Sequence, residues 1–384
     1  MNPKTYSMKN LLALIPVLLI FACQEQPETK NTSLKARSLK DAYQDVFYIG
    51  TALNTGQIFE RDSATHAVIT SQFNAIVAEN CMKGENIHPE EDRYYWEEAD
   101  AFVKFGEKYN MHITGHTLAW HSQAPPWLFV DEQGKDISRT ILIERMSAHI
   151  TTIMQRYKGK VAGWDVVNEA ILDDGTMRKS KYYEIIGPDW VEIAFKIAQE
   201  ADPETELYYN DYSLSNPEKR AGVYQLVKGM QDKGIKVDGI GMQGHLNMGS
   251  PNIQDFEESV VQFSTLGKVM ITEMDITVLP WPSGRVSAEV SLSAEYQESM
   301  NPYKDGLTDS MAVALNDRFV AFYELFNKHQ DKITRVTMWG VNDAQTWRNN
   351  WPIRGRKDFP LLFNRDNSPK PAVERIIGIR KDKP

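Results

Sequence analysis

From about residue 41 onward, short apolar runs alternate with longer amphipathic stretches, and this alternation constrains the fold more than any other feature. The runs Val46–Leu53, Phe73–Ala78, His112–His116, Val161–Val167, Glu206–Tyr209, Val237–Gln243, Lys268–Thr272 and Arg335–Trp339 have the length and apolar, β-branched character of buried strands. Between them, Trp96–Lys108, Ser138–Tyr157, Trp190–Ala201, Pro217–Lys233, Ile253–Phe263 and Ala312–Lys328 space their apolar residues as helices do. Strands joined through helices run parallel, because each crossover returns the chain to the same end of the sheet. About eight such units predict an α/β fold closed as a single (β/α)8 TIM barrel rather than an open, doubly wound sheet. No glycine-rich phosphate-binding turn follows the first run, which counts against a dinucleotide fold. Residues 41–384 read as this one domain, undivided by a repeat or a Ser/Pro/Gly-rich linker. The longest irregular piece, Leu279–Asp309, is expected to be an elaborated loop on the active face.

The first forty residues do not belong to that pattern. Lys4 and Lys9 precede a short apolar run, Leu11 to Phe21, and Ala22-Cys23 is followed by polar Gln24-Glu25-Gln26-Pro27-Glu28. A membrane-spanning helix needs roughly 20 apolar residues, so the run is too short to be one. Residues 1–22 read as an export signal. Ile20-Phe21-Ala22-Cys23 resembles a bacterial lipoprotein box, with Phe21 a loose fit, which would make Cys23 the lipidated first residue of the mature chain. A plain signal peptide cut nearby is the alternative. The expectation is an exported protein at the outer membrane or cell surface, held only by lipid, or else a periplasmic or secreted one. Residues 23–40 are polar and aperiodic, as a tether is. With Cys23 acylated, Cys81 is the remaining one of the 2 cysteines, and no disulfide can form within the chain.

Charge narrows the partners. The 384 residues carry a net charge of −9, which disfavours nucleic acid and suits a neutral polymer. Several of the 9 tryptophans sit beside polar residues in loop-like segments, a placement that fits sugar stacking better than core filling.

Two glutamates close apolar runs. Glu169 ends Trp164-Asp165-Val166-Val167-Asn168-Glu169-Ala170, and Glu273 lies in Val269-Met270-Ile271-Thr272-Glu273-Met274-Asp275-Ile276. Burying a carboxylate is costly unless it is paired or used. Two carboxylates on different strand ends match the acid and the nucleophile or base that glycosidic cleavage requires. Other polar clusters fall after successive strands: Glu79-Asn80-Cys81-Met82-Lys83, His116 to Gln123, Asn210-Asp211-Tyr212, Gln243-Gly244-His245, and Trp339 to Asp343 followed by Trp347-Arg348. Barrel active sites form on that face.

These segments closely resemble glycoside hydrolase family 10, the retaining endo-β-1,4-xylanases, over about residues 41 to 380. Trp-Asp-Val-Val-Asn-Glu-Ala, His-Thr-Leu-Ala-Trp-His-Ser-Gln, Ile-Thr-Glu-Met-Asp and the closing Pro369-Lys370-Pro371-Ala372 carry the resemblance. It implies a catalytic barrel that cleaves internal bonds of xylan and xylo-oligosaccharides without a cofactor or metal, acting as a monomer. By the same resemblance, Glu169 matches the acid/base and Glu273 the nucleophile. His245 and Asp275 look like the pair that tunes the nucleophile, and Asn168 looks like the contact to the sugar 2-hydroxyl. His116, Trp120, Gln243, Trp339 and Trp347 resemble the other walls of that subsite. Glu79, Asn80 and Lys83 look like contacts to the next sugar on the non-reducing side, and Tyr212 like a platform on the leaving-group side. The chain departs from the family at Cys81, usually acidic, and Gly84, usually aromatic. Burial of Cys81 is the favoured expectation over a weak polar contact. Glu85 or another loop residue is expected to serve the sugar where position 84 has no side chain to do so. His116 and His121 do not have the spacing of a metal pair on one helix face. A β-1,4-glucan specificity or an idle polysaccharide-capture role are the alternatives, the second disfavoured because both glutamates are present.

Overall fold

The computed structural model describes residues 38–281 and 300–380. The signal-like segment, Cys23, most of the polar stretch after it, and residues 282–299 of the expected loop lie outside the described residues. Among the described residues nine strands form: β1 (Tyr48–Leu53), β2 (Ala75–Ala78), β3 (His112–Trp120), β4 (Gly163–Asn168), β5 (Glu206–Asp211), β6 (Gly239–Met242), β7 (His245–Asn247), β8 (Lys268–Thr277) and β9 (Ile333–Met338). Neighbours pair in parallel from β6 back to β1, then β1 with β9 and β9 with β8. The β6–β8 pairing closes the ring, leaving β7 as a short parallel extension on β8. The chain is therefore a (β/α)8 barrel, with helices between its strands as expected.

Strands β2 and β4 are buried at every position, because one face fills the barrel and the other meets the helices. Gly115 on β3 is required by that filling, since a Cβ there would lie 2.1 Å from the Trp164 ring on β4. Helices Trp96–Lys108, Trp190–Ala201 and Ile253–Phe263 have the predicted limits. Ser138 caps Arg139–Arg156 by accepting from Ile141 N, and Asn216 with Pro217 starts Pro217–Asp232. Among the described residues, 38–40, ahead of the expected boundary at 41, are packed as well. A short helix, Leu39–Tyr43, buries Leu39, and Tyr43 donates to the Ile376 carbonyl at 3.0 Å. A helix of 5 residues is too short to show a period, so a boundary drawn at residue 41 falls inside it. No helix among the described residues is long and apolar enough to cross a membrane.

Register shifts occur where chemistry was expected: between His116 and Ala119, Asp165 and Val167, and Ile271 and Met274. Such bulges turn side chains that a regular pleat would send to the opposite face. Thr272 and Glu273, consecutive in β8, both reach Asn210 for this reason.

Candidate active site

The predicted clusters line one open cleft of about 890 Å³ at the carboxyl ends of the strands. Glu79, Asn80, Lys83, His116, Trp120, Asn168, Glu169, Tyr212, Gln243, His245, Glu273, Trp339 and Trp347 all reach it. Asp275 does not; it is fully buried behind His245.

Glu273 is 5% exposed and held on both oxygens. Asn210 Nδ2 donates to Oε1 at 2.8 Å, and His245 Nε2 lies 3.2 Å from Oε2. Burial pushes the Glu273 pKa up, but the His245 hydrogen bond, the nearby His116 and the Asn210 donor outweigh it, so the net shift is downward. The site thus contains a carboxylate kept ionised.

The support behind His245 is a chain of charges. Its Nδ1 lies 3.1 Å from Asp275 Oδ1, which also takes Arg348 Nη2 at 2.7 Å, while Trp347 Nε1 donates to Asp275 Oδ2 at 2.8 Å. With a carboxylate oxygen facing each ring nitrogen, only the imidazolium presents a proton to both. Burial disfavours that charge, but Asp275 and then Glu273 override it and raise His245 to about 9. Burial likewise opposes ionisation of Asp275, yet Arg348 and His245 hold it at about 2. The stabilities linked to these shifts have opposite signs. The raised His245 contributes fully below its ordinary 6.5 and loses that contribution as pH rises through about 9. The depressed Asp275 contributes fully above 3.8 and loses it as pH falls towards about 2.

This arrangement predicts the behaviour of His245→Asn. The variant is expected to lower kcat and move the acidic limb of kcat/KM upward in pH, because the anion at Glu273 loses its cationic partner. Melting temperature and the acidic limb, read on one preparation, separate this from a purely structural histidine. A structural role would lower stability and leave the limb where it was.

Glu169 follows β4 with φ of 59°, in the left-handed region that a residue with a Cβ enters at about 1–2 kcal/mol. Its Oε1 accepts from Gln243 Nε2 at 3.0 Å and Asn168 Nδ2 at 3.2 Å. Gln243 Nε2 and Asn210 Nδ2 both donate to Asn168 Oδ1, at 3.2 and 2.9 Å. A continuous amide network therefore links the two carboxyls through Gln243, Asn168 and Asn210. The arrangement can support chemistry that needs one anionic and one differently held carboxyl at a single centre.

His116 sits opposite Asp165 in the β3–β4 register and is 2.9 Å from it through Nδ1. Lys83 Nζ donates to Asn80 Oδ1 and Gln123 Oε1, each at 3.0 Å, and lies 5.1 Å from the Trp120 ring centroid. Burial lowers the Lys83 pKa and raises that of Glu79; each charge partly offsets the other's shift. Cys81 is buried in the core, in keeping with the favoured expectation, and burial pushes its thiol up to about 12. At Gly84, a Cβ would meet Pro125 Cδ at 3.1 Å, and Glu85 Oε1 accepts from Gln123 Nε2 at 2.9 Å. Tyr212 receives a hydrogen bond from Arg178 Nη2 at 2.9 Å. Among the described residues, no group of three or more His, Cys, Asp or Glu is placed to hold a metal ion.

Sequence reasoning missed several members. Asn210 and Arg348 stood inside polar clusters without a role. Trp281 and Trp351, half-exposed and 5.1 Å apart between ring centroids, extend the aromatic wall beyond Trp347. Neither lies in a segment with a period, so only their residue type signalled them. The closing Pro-Lys-Pro-Ala segment also has a physical reason: buried Lys370 pairs with Asp343 at 2.7 Å, fixing the loop that carries Trp339 and Trp347.

The family model for glycosyl hydrolase family 10 matches residues 38–379. The chain belongs to glycosyl hydrolase family 10. It is 46% identical to endo-1,4-beta-xylanase A of Xylanibacter ruminicola, over 96% of this chain and 97% of that one. It is 39% identical to an endo-1,4-beta-xylanase of Geobacillus stearothermophilus, over 89% and 98% of the two chains. Among solved structures, a family 10 endoxylanase retrieved from a sugarcane soil metagenome superposes with a TM-score of 0.84 at 41% identity, covering 90% of this chain and 99% of that one. Family 10 membership makes the protein a glycoside hydrolase.

Proposed function

We propose that this family 10 enzyme is an endo-1,4-β-xylanase that hydrolyses internal β-1,4 bonds of xylan and xylo-oligosaccharides with net retention, acting as a monomer. The observation that carries the reading is Glu273, held between Asn210 and His245 and joined through one amide network to Glu169 in an open cleft. In this reading Glu169 protonates the glycosidic oxygen while Glu273 attacks the anomeric carbon. The leaving group departs, and a glycosyl ester remains on Glu273. Glu169, now a carboxylate, takes a proton from water, which attacks the same carbon from the vacated face and breaks its bond to Glu273, releasing that carboxylate. Two inversions restore the β configuration.

The surrounding side chains divide the remaining work. Asn168 bonds the 2-hydroxyl of the sugar under attack, and His245 with Asp275 keeps Glu273 ionised. Trp120, Trp339 and Trp347 offer ring faces, while His116 and Gln243 bond hydroxyls on the sugar edge. Glu79, Asn80 and Lys83 hold the next sugar on the non-reducing side, and Tyr212 supports the leaving group. The test is the product profile from soluble xylan beside a β-1,4-glucan. Early release of mixed short oligosaccharides from xylan, with little from glucan, is expected. Release from glucan alone would overturn the specificity.

The same proposal includes export and lipid anchoring through Cys23, on the strength of the short apolar run and the polar segment after it. Several acyl chains anchor firmly where a single chain does so only marginally. Cys23→Ser is expected to move the protein from the membrane fraction to the soluble one with barrel activity unchanged. Equal partition of the two forms would mean a plain secreted enzyme.

A further inference from the structure

The left-handed backbone at Glu169 is secured by groups that touch no reacting atom in the mechanism above. The Glu169 carbonyl accepts from Arg178 Nε at 2.9 Å, while its N–H donates to the Asn210 carbonyl at 2.9 Å. The next two amides are also captured: Ala170 N donates to Tyr209 Oη at 3.0 Å, and Ile171 N donates to Asp211 Oδ2 at 3.4 Å. Tyr209 Oη donates in turn to Asp211 Oδ2 at 2.6 Å. Asp211 Oδ1 lies 2.8 Å from Lys219 Nζ, and both side chains are fully buried.

The same cluster grips the ring on the leaving-group side. Lys219 Nζ is 3.2 Å from the Tyr212 ring centroid, Arg178 Nη2 donates to Tyr212 Oη at 2.9 Å, and Tyr212 N donates to Asp211 Oδ1 at 2.9 Å. A buried ion pair is weak evidence for stability, because apolar residues of the same volume often stabilise as well. Burial pushes Asp211 up to about 6 even against the pull of Lys219 and Tyr209. An arrangement this costly to desolvate, touching both the Glu169 turn and Tyr212, calls for a role other than core filling.

We propose that Tyr209, Asp211, Lys219 and Arg178 form a positioning unit that aims the Glu169 carboxyl and couples it to the Tyr212 platform. The proposal rests on the reading of Glu169 as the acid/base. Misplacing a catalytic group by about 1 Å can cost about 100-fold. That cost should appear only where proton donation matters, which gives a signature that reduced stability alone does not.

The experiment measures kcat/KM on a series of aryl β-xylobiosides whose leaving phenols range from strongly to weakly acidic. Tyr209→Phe removes the acceptor of Ala170 N with little change of volume. It is expected to lower kcat/KM roughly 10- to 100-fold for poor leaving groups and hardly at all for dinitrophenol. Arg178→Lys, at a half-buried position, keeps the charge but cannot hold both the Glu169 carbonyl and Tyr212 Oη. It is expected to give the same steepening, smaller in size, and keeps the test open should Tyr209→Phe fold poorly. A uniform fall across the series in both variants, or no fall, would overturn the proposal. Glu169→Ala, run on the same series, separates the two claims. A steep series for Glu169→Ala with flat ones for both other variants rejects only the positioning unit. A flat series for Glu169→Ala rejects the acid/base reading beneath it.

Discussion

Replacing Glu273 with alanine or glutamine is expected to abolish turnover on every substrate, including aryl glycosides that need no acid. No covalent glycosyl ester can form without the carboxylate. The loss should be on the order of 10⁵-fold or more, as when other covalent nucleophiles are removed. Glutamine is the more informative variant. Glu273 accepts from Asn210 on one oxygen and faces His245 Nε2 with the other. An amide can accept on one side only, so its NH2 would confront one of those donors. The simplest relief is loss of the proton from His245, which removes the imidazolium as well. Steady-state rates on xylan and on a dinitrophenyl xylobioside, with circular dichroism to establish folding, provide the check. Retention of more than a small fraction of wild-type rate in a folded variant would reject Glu273 as the nucleophile.

Glu169→Ala should divide substrates instead of abolishing all turnover. General acid help contributes roughly 10²- to 10⁴-fold, and xylan, with a sugar leaving group, should lose about that much. A dinitrophenyl glycoside leaves unaided, so its first step should survive while the second stalls for lack of a base. A burst of phenol followed by slow turnover is the expected course. Azide needs no deprotonation and fits where the carboxyl was removed, so it should restore turnover and yield a β-glycosyl azide. A folded variant that azide does not accelerate would assign Glu169 another role.

The features legible in the sequence were those with a period or a dense polar cluster. Strands and long helices could be placed because burial on one or both faces imposes spacing on apolar residues. Glu169 and Glu273 stood out because each closes an apolar run. The less visible features depend on partners distant in sequence. Arg348 reaches Asp275 across 73 positions, a pairing that no local pattern announces. The β8 bulge, which sends Thr272 and Glu273 to one neighbour, depends on register with β9 and leaves no trace in composition. The positive φ of Glu169 was hidden because glutamate is an unusual residue there, and two separate segments, Arg178 and the consecutive Tyr209, Asn210 and Asp211, combine to hold it. β7 is 3 residues long, and the first helix, Leu39–Tyr43, only 5, too short for either period to show.

The central claim is double displacement at one anomeric carbon by Glu273 and Glu169. Proton NMR of xylo-oligosaccharide hydrolysis, recorded before mutarotation, tests it most directly. The β-anomer of the new reducing end should appear first and the α-anomer should grow in slowly by mutarotation. Initial appearance of the α-anomer would mean that water, not Glu273, attacks the sugar, and would contradict the account.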